Sequence, residues 1–388
     1  MKSVLFVIYS LKFGGAEKSL VNLLQELPED KYQVDVLLFQ KKGDFLLQVP
    51  QWVNVLDTPE DIELLYAPLK KTGFRGWRKV LGTVCSRAAR KSKKAQSAFR
   101  WRYFYGSHIQ PLTKHYDVAV AYAGSENLYF IRDHVHADRK LVWIHNDYRA
   151  AGYSAKDDLP YLEDMDGIVS VSAECVEVLR EEFPQFCDRI YDVRNITSSR
   201  VTRNQAEAYL PEEFETGCSN LLSIGRLHPQ KGFDMAVEAA AILKKNGVCF
   251  RWYVIGDGPE RGALEKKIQE FHVEDCFLLL GTRRNPYPYI KNCTFVVQPS
   301  RYEGKSVVLD EAKILCTPIV ATAYPTVADQ VENGVEGVIT PMTPQGIADG
   351  IRQTLENEAL LTKIRQNLAD REYGNQNEVE KYMELLDQ

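Results

Sequence analysis

Short apolar segments of strand length alternate with amphipathic segments of helical period along this chain, and the alternation restarts near residue 221. Parallel strands need crossover connections, which are usually helices, so this order predicts mostly parallel, doubly wound sheets. A chain of 388 residues is too long for one ordinary core. We therefore expect an α/β fold with two domains. The strand candidates are 3–9, 33–39, 118–122, 140–144, 167–172 and 190–193, then 221–224, 250–255, 277–280, 295–298, 319–321 and 337–339.

The boundary between the two domains is indicated by a pause in this pattern. The polar stretch 197–219 contains Pro211 and Gly217 but little strand pattern, which is typical of a linker. We expect a first domain at 1–197 and a second domain at 198–372.

The eight cysteines are dispersed, without a Cys-x-x-Cys pair, and several lie in apolar runs. This usage predicts buried thiols in a reducing compartment and disfavours both a disulfide framework and a zinc site. Residues 1–9 lack a small-residue cleavage site and are expected to form a first strand, not a signal peptide. No apolar run reaches the roughly 18 residues that a membrane-spanning helix needs. We expect a cytoplasmic protein.

Positive charge is concentrated in residues 64–116, here called the basic aromatic segment. It contains thirteen Lys or Arg and no Asp or Glu, so the net charge of −5 leaves −18 on the remainder. Aromatic residues such as Trp77, Phe99, Trp101 and Tyr103 are interleaved with the cations. Two interpretations stay open: an interfacial helix on the inner, anionic face of the cell membrane, or a solvated helix pair that covers a core. Nucleic-acid binding is disfavoured because the acidic remainder would be repelled.

A strand-to-helix turn in the second half carries two cations. The apolar run 220–224 ends at Gly225 and Arg226, and a helical pattern begins directly after Lys231 and Gly232. Free N–H groups and the positive dipole end of a helix favour an anion, whereas cations are unfavourable there unless an anion is bound. We expect Arg226 and Lys231 to bind phosphate, with ordinary surface charge as the alternative.

Two carboxylates lie near the start of a later helical pattern. Glu311 falls in the second turn of the pattern 307–315, where its two oxygens could accept both hydroxyls of a ribose. The alternative for Glu311 is a solvated helix face. Glu303 precedes the same pattern, and Ser300 with Glu303 also has the spacing of a capping box.

Two features of the first domain are candidate ligand contacts. Gly14 and Gly15 join a strand to a helix, and their missing β-carbons would let the backbone approach a diphosphate or an acceptor. A plain tight turn is the alternative. His145 directly follows a strand, at the carboxyl edge where open α/β sheets bind ligands, although a lone histidine is usually structural.

These motifs, in this order, resemble the retaining GT-B glycosyltransferases of family GT4. The resemblance is densest over residues 221–341 and sparser in the first domain. It implies two doubly wound, Rossmann-like domains that face each other across a cleft. Residues 1–197 would bind the acceptor and 198–372 the nucleotide-sugar, and a helix in 373–388 would cross back to the first domain. The motifs are Gly14-Gly15-Ala16-Glu17, Trp143 to Asp147, Gly225 to Asp234, Gly256 to Pro259, and Glu303 to Ser306 with Glu311.

The resemblance also implies individual roles. Arg226 and Lys231 would contact the two phosphates, Glu303 and His145 the reacting sugar, and Glu311 the ribose. Arg283 follows a strand where the family holds the base. The remaining donor contacts would come from Gly14 and Gly15 and from the backbone of Gly304, Lys305, Ser306 and Val307.

The implied reaction transfers a hexose, with retention, from a nucleoside-diphosphate sugar that is UDP-linked by family precedent. The acceptor would be a lipid-linked sugar or a growing bacterial surface polysaccharide, and neither a cofactor nor a divalent metal is needed. Two rivals stay open: a sugar-nucleotide 2-epimerase, which would convert the nucleotide-sugar without an acceptor, and a non-catalytic nucleotide-sugar binding protein.

Three other signals carry less weight. Gly256 and Gly258 begin like a dinucleotide fingerprint, but Arg261 stands where the third glycine belongs, which disfavours a dehydrogenase. Asp164 and Asp166 have the Asp-x-Asp form of a metal motif, and we interpret them as incidental. The turn 323–327 departs from the family's commoner Gly-rich turn.

Overall fold

The structure is a computed structural model that describes residues 1–12, 14–67, 77–303 and 306–388. The chain divides into two compact units. Unit 1 comprises Met1–Ile196 and Gln376–Gln388, and unit 2 comprises Thr197–Asn375.

Unit 1 is built on a seven-stranded sheet with the order β3-β2-β1-β4-β5-β6-β7. All neighbouring strands are parallel. The strand order reverses between β1 and β4, because β2 and β3 lie on one side of this pair and β5 to β7 on the other. In such sheets, ligands bind in a crevice at the carboxyl ends of the strands. The strands are β1 (Lys2–Ile8), β2 (Tyr32–Leu38), β3 (Asn54–Val55), β4 (His115–Ala121), β5 (His136–Ile144), β6 (Gly167–Ser170) and β7 (Ile190–Asp192). The helices are α1 (Gly15–Glu26), α2 (Glu60–Tyr66), α3 (Trp77–Ala89), α4 (Lys93–Arg100), α5 (Glu126–His134), α6 (Ala155–Leu162) and α7 (Ala173–Glu182).

Unit 2 is built on a six-stranded parallel sheet with the order β10-β9-β8-β11-β12-β13. Its strands are β8 (Ser219–Ile224), β9 (Phe250–Ile255), β10 (Phe277–Gly281), β11 (Phe295–Gln298), β12 (Ile319–Thr322) and β13 (Gly337–Thr340). Its helices are α8 (Ser199–Ala206), α9 (Phe233–Lys245), α10 (Arg261–Glu270), α11 (Tyr287–Asn292), α12 (Val307–Ile314), α13 (Pro344–Glu356) and α14 (Glu358–Ala369).

The last helix, α15 (Val379–Asp387), packs in unit 1. Its Tyr382 ring stacks on Trp143 of β5 with the ring centroids 5.2 Å apart. Leu385 and Leu386 are buried in the same apolar cluster as β1 and β2. Residues 376–388 are therefore part of the core of unit 1.

The doubly wound α/β fold is confirmed in both units, because each predicted strand is present within a few residues. The two-residue strand β3 was not predicted, since it is too short to show a period. The interpretation of 197–219 as a linker is wrong. Its first part forms α8, which buries Val201 and Ala206 in unit 2.

The prediction of free, buried thiols is wrong at one pair of cysteines. Cys218 and Cys249 form a disulfide with their Cα atoms 5.3 Å apart. Each of them directly precedes a strand, and the paired residues Ser219 and Phe250 bring the two strand starts together. A separation of 31 residues in sequence concealed this proximity. Of the remaining cysteines, Cys276 and Cys293 are buried and Cys187 is exposed.

Residues 68–76 of the basic aromatic segment lie outside the described residues, and the part from residue 77 onward contains an exposed region and a buried region. On α3, Trp77, Val80, Leu81 and Val84 are all exposed, and their spacing places them on one face of the helix. After α4, by contrast, Trp101 packs in the core of unit 1, and its indole N–H donates to Asp133 at 2.9 Å. Among the described helices of the chain, none combines the length and the apolar character needed to cross a bilayer.

Gly232 is the residue directly before α9, and substituting it tests the packing of unit 2. Its φ is +66°, and an added Cβ would lie 2.0 Å from the Pro299 carbonyl oxygen. We predict that Gly232→Ala lowers the free energy of unfolding by about 3 kcal/mol, because backbone strain and a steric clash add. Gly247 is the matched control, since its φ is +73° but nothing lies near its Cβ position. Gly247→Ala should lower the stability by about 1 kcal/mol in the same urea titration. Equal losses would contradict the close approach to Pro299.

Candidate functional site

The loop after β8 is held against the loop after β9 by backbone contacts. The Gly225 N–H donates to the Ile255 carbonyl at 3.0 Å, and the Leu227 N–H donates to the Asp257 carbonyl at 3.1 Å. An added Cβ on Gly256 would lie 1.9 Å from the Gly225 carbonyl oxygen. The two glycines therefore permit a close approach that fixes the turn on both sides of Arg226.

Glu303 is the centre of a hydrogen-bonded cluster. The Lys231 ammonium donates to Glu303 Oε1 at 2.7 Å, and these side chains are 19% and 6% exposed. The same oxygen accepts from Gln298 Nε2 at 2.8 Å and from the Ser300 hydroxyl. Gln298 and Ser300 are buried. Donors from β11, from the loop that follows it and from the loop after β8 thus converge on one carboxylate oxygen.

This geometry excludes the capping-box interpretation of Ser300 and Glu303. Helix α12 begins later, with Ser306 as its N-cap residue. Ser300 bonds the Glu303 side chain, not a helix N–H group. The hydroxyl of Thr326 donates to the Glu303 carbonyl at 2.8 Å, so a residue of the turn 323–327 holds the Glu303 backbone in place.

A second ion pair joins the loop after β11 to the first turn of α9. Arg301 donates from both terminal nitrogens to the two carboxylate oxygens of Asp234, each at 2.7 Å. The Arg301 backbone N–H also donates to the Gln230 carbonyl at 2.8 Å. The hydrogen bonds from Arg301 hold the pKa of Asp234 below its usual range. Sequence reasoning missed Gln298, Arg301 and Asp234, because a loop-to-loop pair leaves no periodic signal.

Arg226 differs from Lys231 in having no fixed partner. Its side chain is exposed, and no other described residue forms an ion pair or hydrogen bond with its guanidinium. The site thus combines a cation held in place by Glu303 with an uncommitted cation on the same turn. Such a pair is suited to an anionic ligand.

The backbone at the start of α12 is held by Gln330. The Ser306 N–H donates to Gln330 Oε1 at 2.8 Å, and the Gln330 amide donates back to the Ser306 carbonyl at 3.2 Å. Val307, the first helical residue, is partly exposed. Glu311 is buried on the same helix and lies 3.4 Å from the Tyr287 hydroxyl, which excludes a solvated helix face. Gly304 and Lys305 lie outside the described residues.

Arg283 is bound within unit 2. Its guanidinium donates to the Leu280 carbonyl at 2.6 Å, to the Tyr289 hydroxyl at 3.1 Å and to Glu213 at 2.8 Å. The side chain therefore stabilises the turn after β10. A ligand in the present conformation would meet the backbone of this turn more readily than the Arg283 side chain.

In unit 1, Gly14 and Gly15 begin α1 after the end of β1. The Glu17 carboxylate folds back over Gly14, where an added Cβ would lie 2.1 Å from Glu17 Oε2. Burial raises the pKa of Glu17. A side chain at position 14 would therefore displace the Glu17 carboxylate, and Gly15 has open space around its Cβ position.

His145 directly follows β5, and each ring nitrogen lies close to an oxygen atom, to only one of which a neutral imidazole can donate. Nε2 lies 3.0 Å from the Tyr122 carbonyl oxygen, and Nδ1 lies 3.1 Å from Oδ1 of Asn195. Burial lowers the pKa of His145 to about 4. The imidazole is therefore neutral near pH 7, and these contacts fix its orientation within unit 1.

Asp164 and Asp166 serve the structure of unit 1. Asp164 pairs with Arg132 at 2.7 Å, and Asp166 accepts the Lys140 backbone N–H at 2.7 Å. Within the described ranges, no cluster of three or more His, Cys, Asp or Glu side chains is placed to hold a metal ion. The interpretation of this Asp-x-Asp motif as incidental agrees with these contacts.

Comparisons with known proteins agree with this architecture. Residues 212–371 match the family described as Glycosyl transferases group 1. The chain is 31% identical over 153 residues to alpha-D-kanosaminyltransferase of Streptomyces kanamyceticus, covering 38% of this chain and 39% of that protein. It is 28% identical over 182 residues, 46% of each chain, to the N-acetylgalactosamine-N,N'-diacetylbacillosaminyl-diphospho-undecaprenol 4-alpha-N-acetylgalactosaminyltransferase of Campylobacter jejuni. The matches thus span less than half the length of these relatives.

The fold matches over its whole length. The solved structure of Anabaena Alr3699/HepE in complex with UDP and glucose superposes with a TM-score of 0.68 at 18% identity, covering all of both chains. The two parallel α/β units therefore define a GT-B fold. Within that class, the match over residues 212–371 and the motif set support a glycosyltransferase of the GT4 type.

The lowered pKa of His145 can be tested through the pH dependence of the free energy of unfolding. Between pH 7 and pH 5 the unfolded chain protonates this histidine, whereas the folded chain with a pKa of about 4 does not. Stability is therefore lost as the pH falls. We predict that the free energy of unfolding of the native chain falls by about 2 kcal/mol more over this interval than that of His145→Gln. His136→Gln, at the exposed first position of β5, is the control for the loss of one histidine from the chain. An identical pH dependence for His145→Gln and the native chain would contradict the lowered pKa.

Proposed function

We propose that this protein transfers a hexose from a UDP-linked sugar to a lipid-linked or polysaccharide acceptor in bacterial surface glycan synthesis, with retention and without a divalent metal. The observation that carries the proposal is the pairing of Lys231 with Glu303 beside the uncommitted Arg226. Similarity to group 1 glycosyltransferases over residues 212–371 supports it. The UDP in the Anabaena structure supports the choice of nucleotide.

The reaction requires negative charge to be stabilised on the departing diphosphate. A bond forms between an acceptor hydroxyl oxygen and the anomeric carbon while the bond from that carbon to the phosphate oxygen breaks. The electron pair stays on the phosphate, which also accepts the proton of the acceptor hydroxyl. Arg226 and Lys231 would neutralise the developing charge, as preorganised donors do in other transfer reactions.

The remaining site residues would orient the donor. Lys231 carries three N–H donors, so its bond to Glu303 leaves others for a phosphate. Glu303 would accept sugar hydroxyls through its second oxygen, and Glu311 would accept the ribose hydroxyls. The Val307 N–H would bind the diphosphate at the positive end of α12, and the Ser306 N–H would join it if its bond to Gln330 opens. In unit 1, Gly14, Gly15 and the neutral His145 would face the reacting sugar.

The basic aromatic segment would place the protein on the inner face of the cell membrane. On α3, the exposed face of Trp77, Val80, Leu81 and Val84 is apolar, with Val84 61% exposed. No carboxylate lies within this segment, and Arg87 and the following lysines flank the helix. An apolar face bordered by cations is complementary to an anionic bilayer.

Donor hydrolysis tests the phosphate site. We predict that Lys231→Ala lowers the rate of UDP release from the preferred nucleotide-sugar by about 100-fold, because an electrostatic donor to the leaving group is lost. Glu303→Ala should also lower the rate, because it loses both the sugar contact and the partner of Lys231. The measurement is UDP release from a panel of nucleotide-sugars, with and without EDTA.

Lys244→Ala is the matched control for this experiment, because Lys244 pairs with Asp275 at 2.6 Å on the surface of unit 2. Its rate should equal that of the native chain. Release that needs a divalent metal would refute the metal-independent mechanism. Conversion of the nucleotide-sugar without any release would favour the 2-epimerase.

Vesicle binding tests the membrane proposal. We predict that the double variant Leu81→Ser/Val84→Ser lowers partitioning onto phosphatidylglycerol vesicles by about tenfold, because two exposed apolar side chains no longer enter the interface. The control is Leu47→Ser, since Leu47 is 76% exposed but lies outside α3. Co-sedimentation measures the bound fraction. Equal binding of the native chain to neutral and anionic vesicles would contradict the electrostatic part.

A further inference from the structure

The segment that follows β12 contacts two residues of the candidate site. The Thr326 hydroxyl donates to the Glu303 carbonyl at 2.8 Å. Four residues later, Gln330 bonds the backbone of Ser306, the N-cap residue of α12. A short 3-10 helix, Val327–Asp329, lies between the two contact residues and sets their spacing. Glu303 and Ser306 are therefore held by the same segment of the chain.

Gln330 bonds Ser306 in both directions. Its Oε1 accepts the Ser306 N–H at 2.8 Å, and its Nε2 donates to the Ser306 carbonyl at 3.2 Å. Gln330 is buried, and hydrogen bonds are electrostatically stronger inside a protein than in water. Because both ends of the carboxamide are engaged, it cannot rotate without breaking both bonds. Gln330 thus fixes the position and the orientation of the Ser306 backbone.

Gln330 is itself bound to α12 at a second point. Its N–H donates to the Val327 carbonyl at 3.0 Å, and its carbonyl accepts from the Lys313 ammonium at 2.8 Å. Lys313 is buried on α12, with carboxylate oxygens of Asp310 and Glu336 each 3.9 Å from its ammonium. Gln330 therefore contacts α12 at its N-cap residue and again about two turns later. Its carboxamide and the helix are held as one unit.

The hydroxyl of Ser306 remains unused in this arrangement. Ser306 is 4% exposed, and its Oγ bonds no other residue of the described ranges. An N-cap serine commonly accepts from a backbone N–H in the first turn of its helix, but this serine does not. The first N–H groups of a helix also have no partner within the helix. A hydroxyl and N–H groups side by side can donate to the oxygens of one phosphate.

We infer that Gln330 and Thr326 are positioning residues for the nucleotide-sugar. Gln330 fixes the Ser306 backbone, so that the Ser306 hydroxyl and the Val307 N–H are preorganised donors to the diphosphate. Thr326 fixes the backbone of Glu303, whose carboxylate binds the sugar. The inference deepens the proposed function and rests on it for the identity of the donor. Diphosphate binding can nevertheless be measured without any transfer reaction.

Isothermal titration calorimetry of the full chain with UDP and with inorganic pyrophosphate tests the role of Gln330. Gln330→Met keeps the side-chain length but removes both bonds to Ser306. It should weaken the binding of each ligand about tenfold, because the donors at the start of α12 are no longer preorganised. Gln330→Asn keeps the carboxamide but is shorter by one methylene, and it should weaken binding to a similar extent.

Two controls separate positioning from a general loosening of unit 2. Uridine has no phosphate, so its affinity, measured by competition in saturation-transfer difference NMR, should be the same for the native chain and both Gln330 variants. Thr354→Val removes a different buried hydrogen bond, from the Thr354 hydroxyl to the Gly350 carbonyl within α13. It should leave the affinities for UDP and pyrophosphate unchanged.

The rate of UDP release from the preferred nucleotide-sugar tests the role of Thr326. Thr326→Val should lower this rate about fivefold, because Glu303 is less precisely placed against the sugar. The affinity for UDP should stay the same, since UDP lacks the sugar. Thr326→Ser keeps the hydroxyl and should restore the native rate. Equal rates for Thr326→Val and Thr326→Ser would overturn the role of Thr326.

The outcomes separate this inference from the proposed function. The inference is overturned by a native chain that binds neither UDP nor pyrophosphate, by unchanged affinities in both Gln330 variants, or by an equal loss of affinity for uridine. Tighter binding by these variants would also overturn it, because the carboxamide would then compete with the diphosphate for the Ser306 N–H. A native chain that binds pyrophosphate through Gln330 but releases UDP from no nucleotide-sugar would refute the proposed function and leave the diphosphate positioning standing.

Discussion

The candidate site depends on two ion pairs that join the loop after β11 to the segment after β8, one pair to the β8 loop itself and the other to the first turn of α9. Lys231 bonds Glu303, and Asp234 bonds Arg301 with two parallel hydrogen bonds. Both loops leave adjacent strands of a parallel sheet at the same edge, so they begin close together. The ion pairs convert that closeness into a fixed geometry. Buried Gln298 and Ser300 both donate to Oε1 of Glu303, so Oε2 is the oxygen with fewer hydrogen bonds from the protein.

The architecture could be predicted from sequence because it rests on local periodicity. Strands such as β9 and β11 are continuous apolar runs, since a parallel sheet covered by helices is buried on both faces. The strand-turn-helix around Gly225 and Lys231 was equally visible, because its glycines and cations are neighbours in sequence. The roles assigned to Arg226, Lys231, Glu303 and His145 stay predictions until binding or activity is measured.

The remainder could not be predicted because it depends on pairing between distant segments. The Cys218–Cys249 disulfide follows from the register of β8 and β9, which neither cysteine reveals. Helix α8 was missed because it is short and strongly polar, and the face that it buries includes Ser199 and Thr202 as well as Val201 and Ala206. In the basic aromatic segment, composition showed that cations and aromatic residues are mixed. Tertiary packing alone separates buried Trp101 from exposed Trp77.

The return of the chain to unit 1 has a consequence for biosynthesis. Unit 2 is one continuous segment, Thr197–Asn375, whereas unit 1 needs both Met1–Ile196 and Gln376–Gln388. Because domains fold as the chain emerges, unit 2 can complete its core while unit 1 still lacks α15. Until Tyr382 reaches Trp143, the apolar surface of β5 that it covers stays open to the chaperones of the cell. The core of unit 1 is thus complete only after the whole of unit 2 has been synthesised.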